Sequence, residues 1–259
     1  MKKAKYIPLV FIVALLIGVF GCSENNTGKE TPSEKKMQNT TQTDKFSFYR
    51  MNESDQVLYD YLLESHKTIE DFFGEHFDRR FEVAVYPDRK SLDRQIAREK
   101  KDSTFKSDCS QIAFPNALRL YLLSPDAWEK ESCTKIPTKK EAVKKLILGE
   151  LVHIFHSQYN FSPDVCKTTE IRWFAQGLEL YVTEGINSGD YEINSGINRL
   201  ADLDSIGAAF FAEFIDLNYG RQKLFYILQF SSGEQIAETL EKTEAGLLSD
   251  LQNYIKKRK

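Results

Sequence analysis

The sequence predicts an α+β fold that begins after a long polar amino-terminal segment. In the first half of residues 46–259, short stretches alternate polar and apolar side chains with a period of two, which is typical of strands, and helical patterns lie between them. The second half carries helical patterns alone. We therefore expect a mixed sheet with helices over residues 46–130. A helical subdomain should follow over residues 131–259, with a cleft between the two parts.

Composition excludes several classes of protein. Hydrophobic residues make up 41% of the chain and charged residues 28%, which is typical of globular proteins. The formal net charge of −3 gives no basic footprint, so we expect no nucleic-acid partner. A mean hydropathy of −0.44 excludes a protein that crosses the membrane many times. Four cysteines are too few for a scaffold built from disulfides.

The amino terminus, residues 1–21, has the pattern of a signal peptide. Lys2, Lys3 and Lys5 precede an apolar run over residues 9–20, which is shorter than the roughly 20 residues that span a bilayer. The run ends in the sequence VFGC, which closes with Gly21 and Cys22 and resembles the lipobox of bacterial lipoproteins. A plain signal peptide and an uncleaved anchor are the alternatives.

The lipobox resemblance implies that Cys22 becomes the lipidated first residue of the mature chain. Acyl chains such as palmitate would hold it on the extracytoplasmic face of the cell membrane. Residues 22–45 would then form a flexible polar tether, because Met37 is the one large apolar side chain that follows Cys22 there. We expect the folded domain to start near Phe46.

The elements of the first half follow from local patterns. Gly74 is a plausible helix stop, and Pro87 ends a strongly alternating strand. The predicted strands cover residues 46–49, 81–86 and 118–123, with residues 112–114 beside the last of them, and the predicted helices cover residues 55–73 and 91–99.

The sequence pattern of the second half predicts a series of consecutive helices. A capping box at Thr138 and Glu141 follows Pro137 and opens a long helix to about Gln158. The later helices are predicted over residues 169–183, 206–217, 222–230 and 246–257.

The segment that suggests chemistry lies on the long helix. Glu150 and His153 match the last part of His-Glu-x-x-His, the helical motif of zinc peptidases, while Gly149 stands where the first histidine belongs. Further along the chain, Trp173 opens the sequence WFAQGLELY, which contains Gln176. With the strand order and the later sequence YGRQKL, these motifs resemble the peptidase MA-like branch of the gluzincin metallopeptidases over nearly all of residues 46–259.

This resemblance implies a zincin-like fold whose zinc ligands would stand at Gly149, His153 and Gln176, with Glu150 as general base. Glycine offers no ligating atom, and a glutamine amide is a poor exchange for a carboxylate on zinc. His153 is therefore the one family ligand retained. We therefore expect no cofactor. Zinc is expected only if the alternative interpretation, an active metallopeptidase, is correct.

A rearranged site is that alternative. Glu150 and His153 can share one helix face, whereas His156 is turned away from Glu150. Carboxylates on or beside the next helix could contribute, and His153 could equally be a hydrogen-bonded core residue. The further carboxylates are Glu170, Glu179 and Glu184, and the candidates to line the cleft are His156, Trp173, Gln176 and Glu179.

Three cysteines remain after Cys22. Cys133 and Cys166 flank the long helix, about 30 Å apart for a helix of roughly 20 residues. Their pairing is therefore less favourable than that of Cys109 with Cys133, although a returning loop could change this. Nothing in the sequence places a cysteine beside His153 as a nucleophile.

The first functional hypothesis is a membrane-anchored pseudopeptidase that binds a peptide or protein, with residues 118–123 as the edge strand that pairs with it. An active zinc metallopeptidase with rearranged ligands and Glu150 as general base is the alternative. A structural lipoprotein with a vestigial cleft is the third.

Overall fold

The computed structural model describes residues 39–50, 52–133, 139–162, 164–186, 191–194 and 196–258. Within these ranges, five strands form one mixed sheet and nine α-helices accompany it, so the predicted α+β class is confirmed. The signal peptide, Cys22, residues 22–38 of the tether and Thr138 of the capping box lie outside the described residues.

The sheet has a parallel centre and antiparallel margins. Its order is β1-β2-β3-β5-β4. The three central strands run parallel, while the first and fourth strands pair antiparallel with their neighbours. The strands are β1 (Asn39–Gln42), β2 (Phe46–Arg50), β3 (Phe81–Tyr86), β4 (Ala113–Asn116) and β5 (Arg119–Leu123).

The sheet starts earlier than Phe46. β1 pairs with β2 from Asn39 onward, inside the segment that the sequence assigns to the tether. Between the two strands, the Thr43 hydroxyl accepts hydrogen bonds from the backbone N–H groups of Lys45 and Phe46 and so closes the turn. The polar residues of β1 join the sheet through main-chain hydrogen bonds, which leave no apolar pattern in the sequence.

The strand over residues 118–123 is not an edge strand, and this prediction is wrong. β5 lies between β3 on one side and β4 on the other, so both of its backbone edges are paired. Hairpin pairing places β4 outside it and against the long helix of the second half. β4 therefore forms the margin of the sheet on this side.

Three helices accompany the sheet in the first half. They are α1 (Gln56–Phe73), α2 (Arg89–Lys100) and α3 (Pro125–Glu131). Gly74 ends α1 with a φ of 71°, as the sequence predicts, because glycine adopts this left-handed conformation without strain. The sequence analysis missed α3, a short helix whose Trp128 is buried and donates its indole N–H to the Leu123 carbonyl.

The second half contains α4 (Lys140–Tyr159), α5 (Thr169–Glu184), α6 (Ser205–Tyr219), α7 (Arg221–Ile227), α8 (Gly233–Thr239) and α9 (Glu244–Arg258). α4 is central, since it packs against α1, α5 and the sheet, and residues 151–158 are all buried. α8 was not predicted, and α7 ends before Phe230. α5 and α6 approach closely at Gly177, where a Cβ would lie 2.3 Å from the backbone carbon of Ala208.

The cysteines pair in the way that the sequence favours. Cys109 and Cys133 form a disulfide, and Cys166 keeps a free thiol. Across the described ranges, we find no helix with the length and apolar character needed to cross a membrane.

Candidate functional site

The candidate site lies where α4 and α5 pack against each other. α4 contributes Gly149, Glu150 and His153, and α5 contributes Glu179. Residues 149 and 153 are one helical turn apart and therefore lie on the same side of α4. The Glu179 side chain contacts that side. We refer to Glu150, His153, Cys166 and Glu179 as the α4–α5 cluster.

Gly149 makes room for the Glu179 carboxylate. A Cβ placed on Gly149 would lie 2.6 Å from Glu179 Oε1 and 3.0 Å from its Cγ, closer than side chains tolerate. The glycine thus allows a close approach of the Glu179 carboxylate, which would have to shift if a Cβ were present. The volume beside this turn of α4, where a longer side chain would project, holds Glu179.

Glu179 in turn binds His153. Its Oε2 lies 2.9 Å from His153 Nε2, and the histidine is only 7% exposed. Burial by itself lowers the pKa of His153, but the neighbouring Cys166 and Glu179 side chains together raise that pKa well above its usual range. This upward shift favours the charged imidazole, which forms an ion pair with Glu179.

Cys166 is the member of the cluster that the sequence did not place. It lies in the loop between α4 and α5, half-buried, and its thiol is close enough to His153 to raise the pKa of the imidazole. No partner with normal hydrogen-bond geometry faces His153 Nδ1 among the described residues. The loop has returned along α4, which brings Cys166 close to His153.

Glu150 is the second carboxylate of the cluster. Its pKa is raised to about 7, chiefly because burial disfavours the charged form. The nearby charge of His153 lowers this pKa, and that of Glu179 raises it. Glu150 therefore exchanges its proton near neutral pH. An ordinary surface glutamate does so at a much lower pH, because its pKa stays near the usual value.

Two of the residues expected to line the cleft belong to the core. His156 is fully buried against Phe174, and burial lowers its pKa to about 3, so its imidazole stays neutral. Trp173 is 4% exposed, packs against Phe211 and donates its indole N–H to the Glu170 carbonyl. Burial of both rings follows from their position between α4, α5 and α6.

Gln176 does not meet Gly149 in the way that the resemblance implies. Gln176 is exposed, and the α5 residue in contact with Gly149 and His153 is Glu179, about one turn further along the helix. The signal that could have found Glu179 is its i, i+3 relation to Gln176, which keeps both on one side of α5. Of the other carboxylates, Glu170 pairs with Arg199, and Glu184 lies 3.9 Å from Lys145.

The α4–α5 cluster does not present a three-ligand metal site. Within the described part of the chain, the one trio of candidate ligands whose atoms lie within 4.8 Å of one another is Asp108, Cys109 and Cys133. The two sulfurs of that trio are joined in a disulfide. The residues at the positions that the resemblance assigns to zinc therefore do not fit the ion, since Gly149 has no ligand atom and Gln176 faces solvent.

Chemically, the cluster is a partly buried ion pair flanked by a thiol and by a carboxyl group with a near-neutral pKa. Such an arrangement can hold and exchange protons. In comparisons with known proteins, no protein-family model matches this chain and no curated protein matches it.

Proposed function

We propose that this chain is a membrane-anchored, extracytoplasmic lipoprotein whose metallopeptidase-like domain binds a peptide or protein without zinc catalysis. The observation that supports this proposal is the position of Glu179. Its carboxylate lies in the space beside Gly149 and forms an ion pair with His153, the one retained ligand residue. A metal at His153 would have to compete with an existing, partly buried ion pair.

The partner would bind at the sheet margin. The Leu123 N–H donates to the Ile112 carbonyl, and alternate residues of an antiparallel strand point their backbone groups in opposite directions. In β4, the N–H and carbonyl of Ala113 and the carbonyl of Pro115 therefore point away from β5. An extended peptide can pair with these three groups.

Pro115 limits this pairing. It occupies an outward position, where its lack of an N–H costs no bond to β5, and it leaves Ala113 as the outward donor of the strand. Proline at such a place protects an edge strand from indiscriminate pairing with other strands. We expect a partner that binds over a short stretch and owes its selectivity to side-chain contacts.

Zinc content tests the non-catalytic part of the proposal. Mass spectrometry of the purified full chain should find well under one zinc per molecule. Gly149→His should raise the zinc content towards one per chain, because two imidazoles would then stand one helical turn apart. The flexible Glu179 carboxylate, displaced from its place beside residue 149, can then reach the same ion. Adding Glu179→Gln to that variant should lower the content again, while adding Gln176→Leu should not.

Stoichiometric zinc in the wild-type chain would overturn the pseudopeptidase proposal. It would support the alternative, a zinc metallopeptidase with rearranged ligands and Glu150 as general base. If Gly149→His takes up no zinc, the result instead contradicts the arrangement in which residue 149, His153 and Glu179 lie next to one another.

Peptide selection tests the binding part. A random-peptide phage library panned against the full chain should enrich binders, and Ala113→Pro should reduce their retention because it removes the outward N–H. Ala113→Val is the matched control, since it keeps the N–H and should retain the same binders. Equal retention on all three proteins would place the partner on another surface.

A further inference from the structure

A basic groove lies in the first half of the domain and includes none of the residues of the α4–α5 cluster. It encloses about 820 Å³ between one face of α2 and the loop that follows this helix. Most of the side chains that line the groove are cationic, and Asp93 and Phe105 lie among them. Its helix residues recur every three to four positions and thus form a single stripe.

Five cations of the groove stand outside every ion pair formed by the described residues. Among the described residues, no carboxylate forms an ion pair with any of them, and Asp93 is the one acidic residue that lines the groove. Three lie at i, i+4 spacing, where like charges repel and destabilise a helix. These five cations are Lys90, Arg94, Arg98, Lys101 and Lys106.

The nearby carboxylates are already engaged. Asp93 accepts hydrogen bonds from the Ser107 N–H and hydroxyl, at 3.2 and 2.5 Å. Glu99, at the end of α2, accepts from Arg119 and from the Tyr121 hydroxyl. With Asp93 as the one acidic residue of its lining, the groove keeps a net positive charge in a chain whose formal net charge is −3.

The wall opposite α2 is held in place by several contacts. The Arg89 guanidinium donates to the Ser107 hydroxyl and to the carbonyls of Asp108, Cys109 and Gln111. The disulfide to Cys133 anchors the same loop. The groove is thus a preorganised concavity, and its shape does not depend on a ligand to order it.

The base of the groove is partly apolar. Phe105 lines it, and the Lys100 ammonium lies 3.6 Å from the centroid of the Phe105 ring, which fixes the ring in place. Cavities of this size hold organic ligands rather than single ions. Guanidinium groups bind phosphate oxygens in pairs, and lysines add point charge.

We propose that this groove binds a phosphodiester that carries an organic substituent. Arg94 and Arg98 contact the phosphate oxygens, the lysines at the rim add to the field, and Phe105 packs against the substituent. A membrane lipid headgroup and a soluble phosphodiester share this chemistry. The proposal is independent of peptide binding at β4 and of the zinc question.

Titration calorimetry on the full chain in neutral detergent tests the proposal with two probes. One is soluble glycerophosphoglycerol, and the other is phosphatidylglycerol in mixed micelles, with phosphatidylcholine micelles as the blank. The double variant Arg94→Gln with Arg98→Gln should weaken binding by about tenfold or more, because two charge-assisted contacts are lost. Lys90→Gln with Lys106→Gln should weaken it less.

The matched control is Lys256→Gln with Lys257→Gln, which removes the same charge from exposed positions on α9 that line no part of the groove. It should change affinity by less than about twofold, since distant surface charges are screened. Binding of both probes supports a soluble phosphodiester, and binding of the micelles alone supports a lipid headgroup. Binding of neither probe, or equal loss in the control, would overturn the proposal.

Discussion

The side chain of Glu179 determines what Gly149 can tolerate. A glycine inside a helix costs roughly 1 kcal/mol relative to alanine, so helix propensity favours a replacement by alanine. Here the added methyl would meet Glu179 Oε1 and Cγ at 2.6 and 3.0 Å. The carboxylate is the flexible end of its side chain and can move, but it would then leave His153.

Gly149→Ala therefore tests the contact between the two helices. We expect it to gain none of the roughly 1 kcal/mol that propensity offers and to lower the pKa of His153, because Glu179 moves away from the imidazole. Denaturant unfolding and nitrogen NMR of the histidine ring measure the two effects. A clear gain in stability with an unchanged histidine pKa would show that the methyl has room.

Glu179→Gln tests the ion pair directly. A histidine whose pKa is raised in the folded state stabilises the fold below the pKa of the unfolded state, about 6.5, and this stabilisation is lost as pH rises through the folded pKa. The variant should lose about 1 kcal/mol of unfolding free energy at pH 6, a modest value because Glu179 is 39% exposed.

The loss in Glu179→Gln should shrink as pH rises above the folded pKa of His153, where the wild-type pair is no longer charged. Unfolding curves at several pH values measure this dependence. A loss that is independent of pH would contradict the ion pair.

The helices of the second half are joined by a buried polar contact at the end of α6. Asp216 is 6% exposed, accepts a hydrogen bond from the Tyr181 hydroxyl at 2.6 Å and pairs with Arg221. The same guanidinium stacks on Phe72 and donates to its carbonyl. Asp216 and Arg221 together thus connect α1, α5, α6 and α7.

Asp216→Asn should lower the unfolding free energy by about 2–4 kcal/mol at pH 7, because it leaves Arg221 without its anion. Although burial raises the pKa of Asp216, Arg221 and Tyr181 lower it below its usual value. The ionised Asp216 carboxylate therefore adds to the unfolding free energy of the wild type above the pKa that Asp216 has in the unfolded state. This contribution is lost as pH falls through the pKa of Asp216 in the folded state.

The control for this variant is Asp250→Asn, which removes a surface pair with Lys242. Its cost should stay below about 1 kcal/mol. Equal losses in the two variants, measured by denaturant unfolding, would contradict a special role for Asp216.

The proposed lipid anchor concerns the protein as a whole, because it would determine where the domain works. Cys22→Ser should release the chain from the membrane fraction or leave it unprocessed, since the acyl chains would be lost. Detergent partitioning and the mass of the mature amino terminus measure this. Identical behaviour of the wild type and the variant, with both keeping the signal segment, would contradict the lipoprotein prediction.

Patterns within single elements account for most of the fold that could be predicted. α1, β3 and α5 have bounds close to those expected, because each carries the periodicity of a buried face along its own length. The sequence did not predict three of the short elements. β1 pairs through its backbone, and α3 and α8 are too short for a helical period to be visible.

The candidate site likewise has features that the sequence predicts and features that only the tertiary structure reveals. The sequence identified Glu150 and His153 as site residues. It also showed that Gly149 and Gln176 are poor metal ligands. Both conclusions depend only on residue type and on spacing along the chain. The sequence did not reveal that Glu179 lies beside Gly149, that Cys166 approaches His153, or that β5 is interior. Those juxtapositions depend on the rotation of packed helices, the path of a loop and the pairing of strands. Periodicity within one segment carries no information on such relations between segments.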